Sequence, residues 1–465
     1  MKRFIILLIT TVASLNSWGQ DISGAWNGIL KIQGVQLRLV FHIQKTATGY
    51  SATMDSPDQG AKDIPMTSAS FENNVLKLSV ASAGIGYEGV LNADGNITGT
   101  FKQMQLSLPL DLTKGTVEAE KPRRPQEPSK PYPYREEEVS FKNEDDGVTL
   151  AGTLTLPAGE GTFPAVILIS GSGAQNRDEE IMGHKPFLVL SDYLTRHGIA
   201  VLRFDDRGTA ASTGNFRTAT SYDFSKDAAA GVKYLQGRKE IDRKRTGLIG
   251  HSEGGIIASM LAARSDGIAF IVLLAGPGIP GDSLLLLQQD AIGRASGTNE
   301  KEIQTACEIN RKLYDMIIRT ADTVQLYREA EAYLKQAIAQ HSHLKPGNMS
   351  ENEDLFIRTV MQQISSPWLR YFLRYNPAEA LEKVKCPVLA LNGEKDLQVP
   401  PGVNLEAIRK AVKKGKLTAR ELPGLNHIFQ ECTTGLLTEY STIEQTFSPA
   451  ALDIILNWIK NQASK

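Results

Sequence analysis

Ile249-Gly250-His251-Ser252-Glu253-Gly254-Gly255 is the stretch whose residue types and spacing could do covalent chemistry. A serine lies between two glycines, each two residues away. An apolar strand ends at Ile249 and an apolar helical stretch begins at Ile256. That is the layout of a nucleophile elbow. The glycines let backbone and helix approach closely, and the sharp turn exposes the serine hydroxyl. The backbone N–H of Glu253, at the head of the helix, is placed to stabilise an oxyanion. A serine hydroxyl is a weak nucleophile at neutral pH, so it needs a general base, and the base needs an orienting acid. With acid and then histidine following the serine along the chain, His341, His343 and His427 qualify as the base. His341 and His343 fall in a polar stretch that reads as solvated. His427 ends Leu422-Pro423-Gly424-Leu425-Asn426-His427, a loop after the strand Leu417–Leu422, and such a loop can return the imidazole to Ser252. The acid is sought at Asn392-Gly393-Glu394-Lys395-Asp396, where the strand Pro387–Leu391 ends; Asp396 is the choice and Glu394 the rival.

A second oxyanion donor is expected from Ser170-Gly171-Ser172-Gly173-Ala174-Gln175, the loop leaving the apolar strand Ala165–Ile169, with the Ser172 N–H as the donor. The same loop fails as a dinucleotide fingerprint because Asn176 stands where the third glycine belongs, and it lacks the Gly-Lys-Ser/Thr of a P-loop. Asp205-Asp206-Arg207-Gly208 and Arg177-Asp178-Glu179-Glu180 could touch a substrate or form buried ion pairs that brace the loops. No His-x-x-x-His pair or paired carboxylate set argues for a metal site.

These residues need a scaffold, and from residue 136 onward the pattern supplies one. Short apolar runs at Ala165–Ile169, Ala200–Phe204, Gly247–Ile249, Phe270–Leu274 and Val388–Leu391 alternate with helical stretches. Continuous apolar strands between helices predict a mostly parallel sheet covered on both faces. Glu137–Lys142 and Val148–Leu156, with no helix between them, predict an antiparallel hairpin at its edge. The alternation stops over about 280–380, where helices such as Glu300–Ile318 and Thr323–Gln340 predict a helical lid, interrupted at Lys345-Pro346-Gly347-Asn348.

Residues 20–115 read as a small all-β domain. Leu37, Leu39, Phe41 and Ile43 alternate with polar neighbours, as do Leu76, Leu78 and Val80, and Asn92-Ala93-Asp94-Gly95-Asn96 is a hairpin turn. A small antiparallel barrel or sandwich follows. Gly24-Ala25-Trp26 resembles the opening of lipocalin-like barrels, with Trp26 as a core plug. Residues 116–135 contain Pro122, Pro125, Pro128, Pro131 and Pro133 among polar residues, the composition of a semi-rigid linker. At the start, Lys2 and Arg3 precede the apolar Phe4–Val12, and Ser17 and Gly19 stand as small residues before Gln20. Residues 1–19 therefore read as a signal peptide and the chain as exported, periplasmic or extracellular. A bilayer span needs about 20 apolar residues, and no stretch is that long.

Composition agrees with an ordinary globular chain of 465 residues, 41% hydrophobic and 22% charged. A formal net charge of −1 leaves no bulk positive field for nucleic acid. Three cysteines exclude a disulfide-dense scaffold.

Taken in order, Gly171-Ser172-Gly173, Asp206-Arg207-Gly208, Gly250-His251-Ser252-Glu253-Gly254-Gly255, Asp396 and His427 resemble the α/β-hydrolase superfamily over about 136–465. Within it the chain is similar to bacterial serine esterases that have a small β domain ahead of the hydrolase domain. The resemblance implies an α/β-hydrolase sheet with a helical lid, Ser252 as nucleophile, His427 as base and Asp396 as its orienter. It also implies oxyanion donors at Glu253 and Ser172, no cofactor, no metal and a small-molecule ester as substrate. One departure is that Ser170-Gly171 stands where many relatives have His-Gly. Alternatives of the same chemistry are a serine peptidase or aminopeptidase and a thioesterase or acyltransferase. An alternative of another class is a non-catalytic binding protein. The His-Gly-Gly-Pro-Gly oxyanion loop of proline peptidases is absent.

Overall fold

The computed structural model describes residues 21–32, 35–57, 61–80, 84–103, 106–115, 123–341 and 353–463. The leader read at residues 1–19, Pro122, His343 and the loop Lys345–Asn348 lie outside the described residues. The chain divides into two compact units, Met1–Ala119 and Glu120–Lys465.

The first unit is a meander of antiparallel strands. One sheet holds β1 (Gly24–Ile32), β2 (Val35–Thr46), β3 (Gly49–Ser56) and β4 (Ala61–Pro65), with β10 (Thr113–Lys114) beside β1. The other holds β5 (Ser68–Glu72), β6 (Val75–Val80), β7 (Ile85–Leu91), β8 (Ile97–Gln103) and β9 (Leu106–Pro109) in that order. The period-two residues turn inward as expected: Leu39, Phe41 and Ile43 pack with Leu76, Leu78 and Val80. Trp26 is 2% exposed, fills the same core and donates its indole N–H to the Ile22 carbonyl at 2.7 Å.

The second unit contains an eight-stranded sheet in the order β11-β12-β14-β13-β15-β16-β17-β18. Its strands are β11 (Arg135–Asn143), β12 (Val148–Leu156), β13 (Phe163–Ile169), β14 (Ala200–Phe204), β15 (Ile241–His251), β16 (Ile271–Leu274), β17 (Val388–Gly393) and β18 (Leu417–Leu422). The edge hairpin β11–β12 is antiparallel, β12 joins β14 antiparallel, and the remaining neighbours are parallel. The continuous apolar strands are explained by burial on both faces. Ala165, Ile167 and Ile169 of β13 pack with α2 (Ser221–Gly237), α3 (Glu253–Arg264) and α10 (Pro401–Ala411). Val166 and Leu168 point the other way, to α1 (Pro186–Arg196) and α12 (Pro449–Ala463).

The sheet order sets where a site can form. From β13 the chain crosses through α1 to β14 on one side, then through α2 to β15 on the other side of β13. Open α/β sheets bind ligands at such a switch point, beyond the carboxyl ends of the strands. Between β16 and α9 (Ala378–Leu381) lie α4 (Gly281–Ala295), α5 (Glu300–Arg319), α6 (Thr323–Gln340), α7 (Glu353–Ile364) and α8 (Pro367–Arg374), the helical lid. This lid has its own apolar centre, including Leu313, Ile317, Leu326 and Leu334. A second cluster, Leu284 and Phe372 against Ile256 and Met260, fastens it to α3. The described part of the proline-rich segment belongs to the second unit and is bonded within it: Arg124 donates to the carbonyls of Ile443 and Ser441, and Gln126 to that of Phe447.

Candidate active site

Ser252 sits between β15 and α3 with φ 52° and ψ −121°, a conformation rare outside glycine. Holding a side chain there costs on the order of 1–3 kcal/mol, so the surroundings must impose it. The main chain does so. Ser252 N–H donates to the Leu274 carbonyl at 2.8 Å. A Cβ on Gly250 would lie 2.0 Å from the Gly254 carbonyl oxygen, and one on Gly254 would lie 2.1 Å from that of Ile169. Both flanking glycines are thus required by close backbone approach.

His427 is 4% exposed and its Nδ1 donates to Asp396 Oδ2 at 2.8 Å. Asp396, 2% exposed, also accepts the N–H groups of Gln398 and Val399 at 2.8 Å and the Asn392 amide at 3.2 Å. Every partner is a donor, the environment of a carboxylate. Glu394, the rival acid, is exposed and accepts the Gly424 N–H at 2.8 Å. His341 follows α6 and does not line the cavity that Ser252 and His427 share.

The loop after β13 lies against the elbow: a Cβ on Gly171 would be 3.1 Å from Ser252 Cβ. Gly171 donates its own N–H to Glu179 Oε1 at 2.7 Å, which removes it from use toward an oxyanion. Ser172 lines the cavity, and its hydroxyl donates to Glu253 Oε2 at 2.8 Å. The buried Glu253 carboxylate also accepts Ser221 Oγ at 2.5 Å and Trp368 Nε1 at 2.8 Å. Burial pushes its carboxyl up, and these three donors oppose the rise. Behind the loop, Asp206 accepts Ser170 Oγ and the Gln175 N–H, each at 2.9 Å. Burial pushes the Asp206 carboxyl up to about 8, with the Glu253 and Glu179 charges adding to the rise.

The two charged motifs divide in purpose. Asp205 pairs with Arg177 at 2.8 Å, and Arg207 pairs with Asp227 at 2.6 Å and Asp146 at 2.8 Å. The Arg207–Asp227 pair is buried and the other two are part-buried; all three brace loops, and none of these residues lines the cavity. Glu179 does line it, and sequence reasoning gave it no definite role. The elbow residue His251 was likewise passed over; its Nδ1 faces Glu179 Oε1 at 2.9 Å and its Nε2 faces the His427 carbonyl at 3.0 Å. A histidine inside Gly-x-Ser-x-Gly was a visible signal for one partner, whereas nothing local marks Glu179 or Trp368.

The cavity has a volume of about 350 Å³ and is lined by Ser252, His427, Ser172 and Glu253. Leu284, Leu285, Trp368 and Phe372 of the lid make an apolar wall, with Gln175, Gln288 and Gln398 as polar points. Among the described residues, no three His, Cys, Asp or Glu side chains gather as a metal site requires, and no helix is long and apolar enough to cross a membrane.

Comparison with known proteins adds a family. The model of the X-Pro dipeptidyl-peptidase (S15) family matches residues 146–420. Esterase EstD from Thermotoga maritima is 35% identical over 166 residues, which are 35% of this chain and 39% of EstD. The match thus spans about two fifths of EstD's length. An uncharacterized 31.7 kDa protein from the traX-finO intergenic region of Escherichia coli is 24% identical over 58% of this chain and 84% of its own. Among solved structures, the α/β hydrolase GrgF from Penicillium sp. sh18 aligns at TM-score 0.44 and 16% identity, over 71% of this chain and 100% of that one.

Proposed function

Because this chain belongs to the X-Pro dipeptidyl-peptidase (S15) family, we propose that it is a serine hydrolase cleaving carboxylic esters through an acyl-enzyme, with Ser252, His427 and Asp396 as its triad. The observation that carries the reading is the 2.8 Å bond from His427 Nδ1 to Asp396, made by a histidine that shares one cavity with Ser252. With Nδ1–H held by Asp396, the His427 Nε2 lone pair is the base. It takes the Ser252 proton as Oγ adds to the ester carbonyl, and the oxyanion is met by the N–H groups of Glu253 and Ser172. Collapse breaks the ester C–O bond, and the alcohol departs with the proton from His427. Water, giving a proton to His427, then adds to the acyl-enzyme; the acyl C–Oγ bond breaks, His427 returns that proton to Oγ, and the acid and Ser252 are freed.

Esters rank first because EstD, named an esterase, is similar at 35% identity. A cavity of about 350 Å³ is near the lower end for small-molecule sites, which suits a short acyl or alcohol group. The family description favours a second reading, cleavage of peptides after proline. We further infer that the enzyme acts after export, on the strength of residues 1–19; the N-terminal mass of the protein recovered outside the cytoplasm tests this.

The deciding experiment is hydrolysis of p-nitrophenyl esters of increasing acyl length, beside dipeptidyl X-Pro-p-nitroanilides, by wild type and Ser252→Ala. Serine-dependent ester cleavage without anilide cleavage is the expected result. Anilide cleavage at a comparable kcat/KM transfers the chain to the peptidase reading. Ester cleavage that survives Ser252→Ala sinks the triad.

A further inference from the structure

We infer that His251, the residue before the proposed nucleophile, is a standing imidazolium that ties the oxyanion loop to the main chain bearing His427, and so acts as a positioning residue. This rests on the hydrolase reading above and assigns a role that reading does not use.

The argument begins with hydrogen-bond directions. His251 is 4% exposed, and its two ring nitrogens face Glu179 Oε1 at 2.9 Å and the His427 carbonyl at 3.0 Å. Both partners only accept. A neutral imidazole has one N–H, so it would set a buried lone pair against one of these oxygens. The doubly protonated ring satisfies both. His184, buried in the same unit, shows the contrast. Its Nε2 faces the Tyr440 carbonyl at 2.7 Å, but its Nδ1 faces the Thr446 hydroxyl at 3.0 Å, which can donate. The Gln430 amide nitrogen, 2.9 Å from Nε2, is a further donor, so this ring is not enclosed by acceptors alone, and burial pushes the His184 pKa down to about 4.

Around His251 the charges agree with the directions. Burial works against a charged ring, but the Glu179 carboxylate and the His427 carbonyl outweigh it and hold the pKa above the ordinary histidine range. Asp396 lies behind His427 and favours the charge as well. The His427 ring stands beside it with centroids 4.7 Å apart, Asp206 is near enough to Glu179 to feel its charge, and Tyr440 neighbours both Asp396 and the His427 backbone.

The tie runs through one carboxylate oxygen. Glu179, held at φ 50°, gives Oε1 to both Gly171 N–H at 2.7 Å and His251. The loop after β13, the elbow after β15 and the loop after β18 are thereby joined by a single cation and its counter-charge. Sub-ångström placement of nucleophile, base and oxyanion donors governs the rate of such a site. The two acceptors keep the tie closed while the ring is doubly protonated, and it opens as pH rises through the raised pKa, giving an alkaline limb that belongs to His251.

Two measurements test this. The first is the ¹H–¹⁵N ring spectrum of the protein, with His251 assigned by its loss in His251→Gln. Both ring nitrogens should carry protons at pH 7.5, where a free histidine is neutral; a neutral tautomer at that pH overturns the proposal. The second is the rate at which a fluorophosphonate modifies Ser252 between pH 6 and 10. His251→Gln should slow it by about 10- to 100-fold and abolish the alkaline limb. Glu179→Gln keeps the acceptor oxygen but loses the charge, so the limb should move down by about one pH unit or more. A limb that stays in place in Glu179→Gln overturns the proposal even where His251→Gln fails to fold. A wild-type Ser252 that takes no label at any pH defeats the hydrolase reading instead, and the ring spectrum still decides the charge on His251.

Discussion

Trp368, on α8 of the lid, donates its indole N–H to Glu253 Oε1 over 2.8 Å, joining the lid to the residue that follows Ser252. The same carboxylate accepts the hydroxyl of Ser172 in the loop after β13. Lid, elbow and the loop after β13 therefore share one buried acceptor. Trp368→Phe keeps the ring that stacks on Phe372, with centroids 5.0 Å apart, and removes only the N–H. Losing a hydrogen bond to a charged group should cost about 1.5–3 kcal/mol, felt mainly as a looser lid. KM for p-nitrophenyl esters should rise several-fold with kcat changed less, and steady-state kinetics checks the split.

The strain at Ser252 separates stability from activity. Glycine adopts φ 52° freely, whereas alanine does not. Ser252→Gly and Ser252→Ala should both be inactive, with the glycine variant more stable by about 1 kcal/mol. Urea melts of the two proteins read this difference, and equal midpoints would refute strain at the elbow.

Asp396 and Glu394 leave the same strand but meet different surroundings, one buried on His427 and the other exposed. Asp396→Asn should lower kcat on the order of 10³–10⁴-fold by favouring the wrong His427 tautomer. Glu394→Gln should leave it within about twofold, as an exposed side chain remote from the reaction does. The reverse ranking would move the acid to Glu394.

His184 predicts how stability responds to acid. Its folded pKa is depressed to about 4 while the unfolded chain takes up a proton near 6.5, so stability is present above 6.5 and is lost as pH falls toward 4. The loss from this residue is about 3 kcal/mol at pH 4. His184→Asn cannot take the proton; it should be less stable at pH 7 but lose less between pH 6.5 and 4. Thermal melts across that range check it, and an unchanged slope would exclude His184 as the sensor.

The local features of this molecule were legible because short-range geometry dictates them. Burial on both faces requires continuous apolar residues in β13 and β17, and the strands appear where those runs are. Helical periodicity located α6 at Thr323–Gln340 without correction. The β15 strand begins earlier than its apolar run, at Ile241, which is buried in the core and pairs with Phe163 before a register shift brings Thr246 beside Ala165. The elbow was readable through its short-range spacing: Gly250 answers to the Gly254 backbone within a few residues of Ser252, whereas the clash that requires Gly254, with the Ile169 carbonyl, comes from β13.

What surrounds Ser252 was settled at longer range. Glu179 meets His251 across 72 positions, Trp368 meets Glu253 across 115, and His251 meets the His427 carbonyl across 176. No periodicity or spacing encodes such contacts, since they depend on how β13, β15 and β18 are ordered in the sheet and where the lid returns. By itself the sequence determined the class of fold, the elbow and the residue types available to serve it. Only the tertiary structure decided which carboxylates are buried, which histidine is surrounded by acceptors and which is not, because desolvation and hydrogen-bond partners exist only once distant segments have packed.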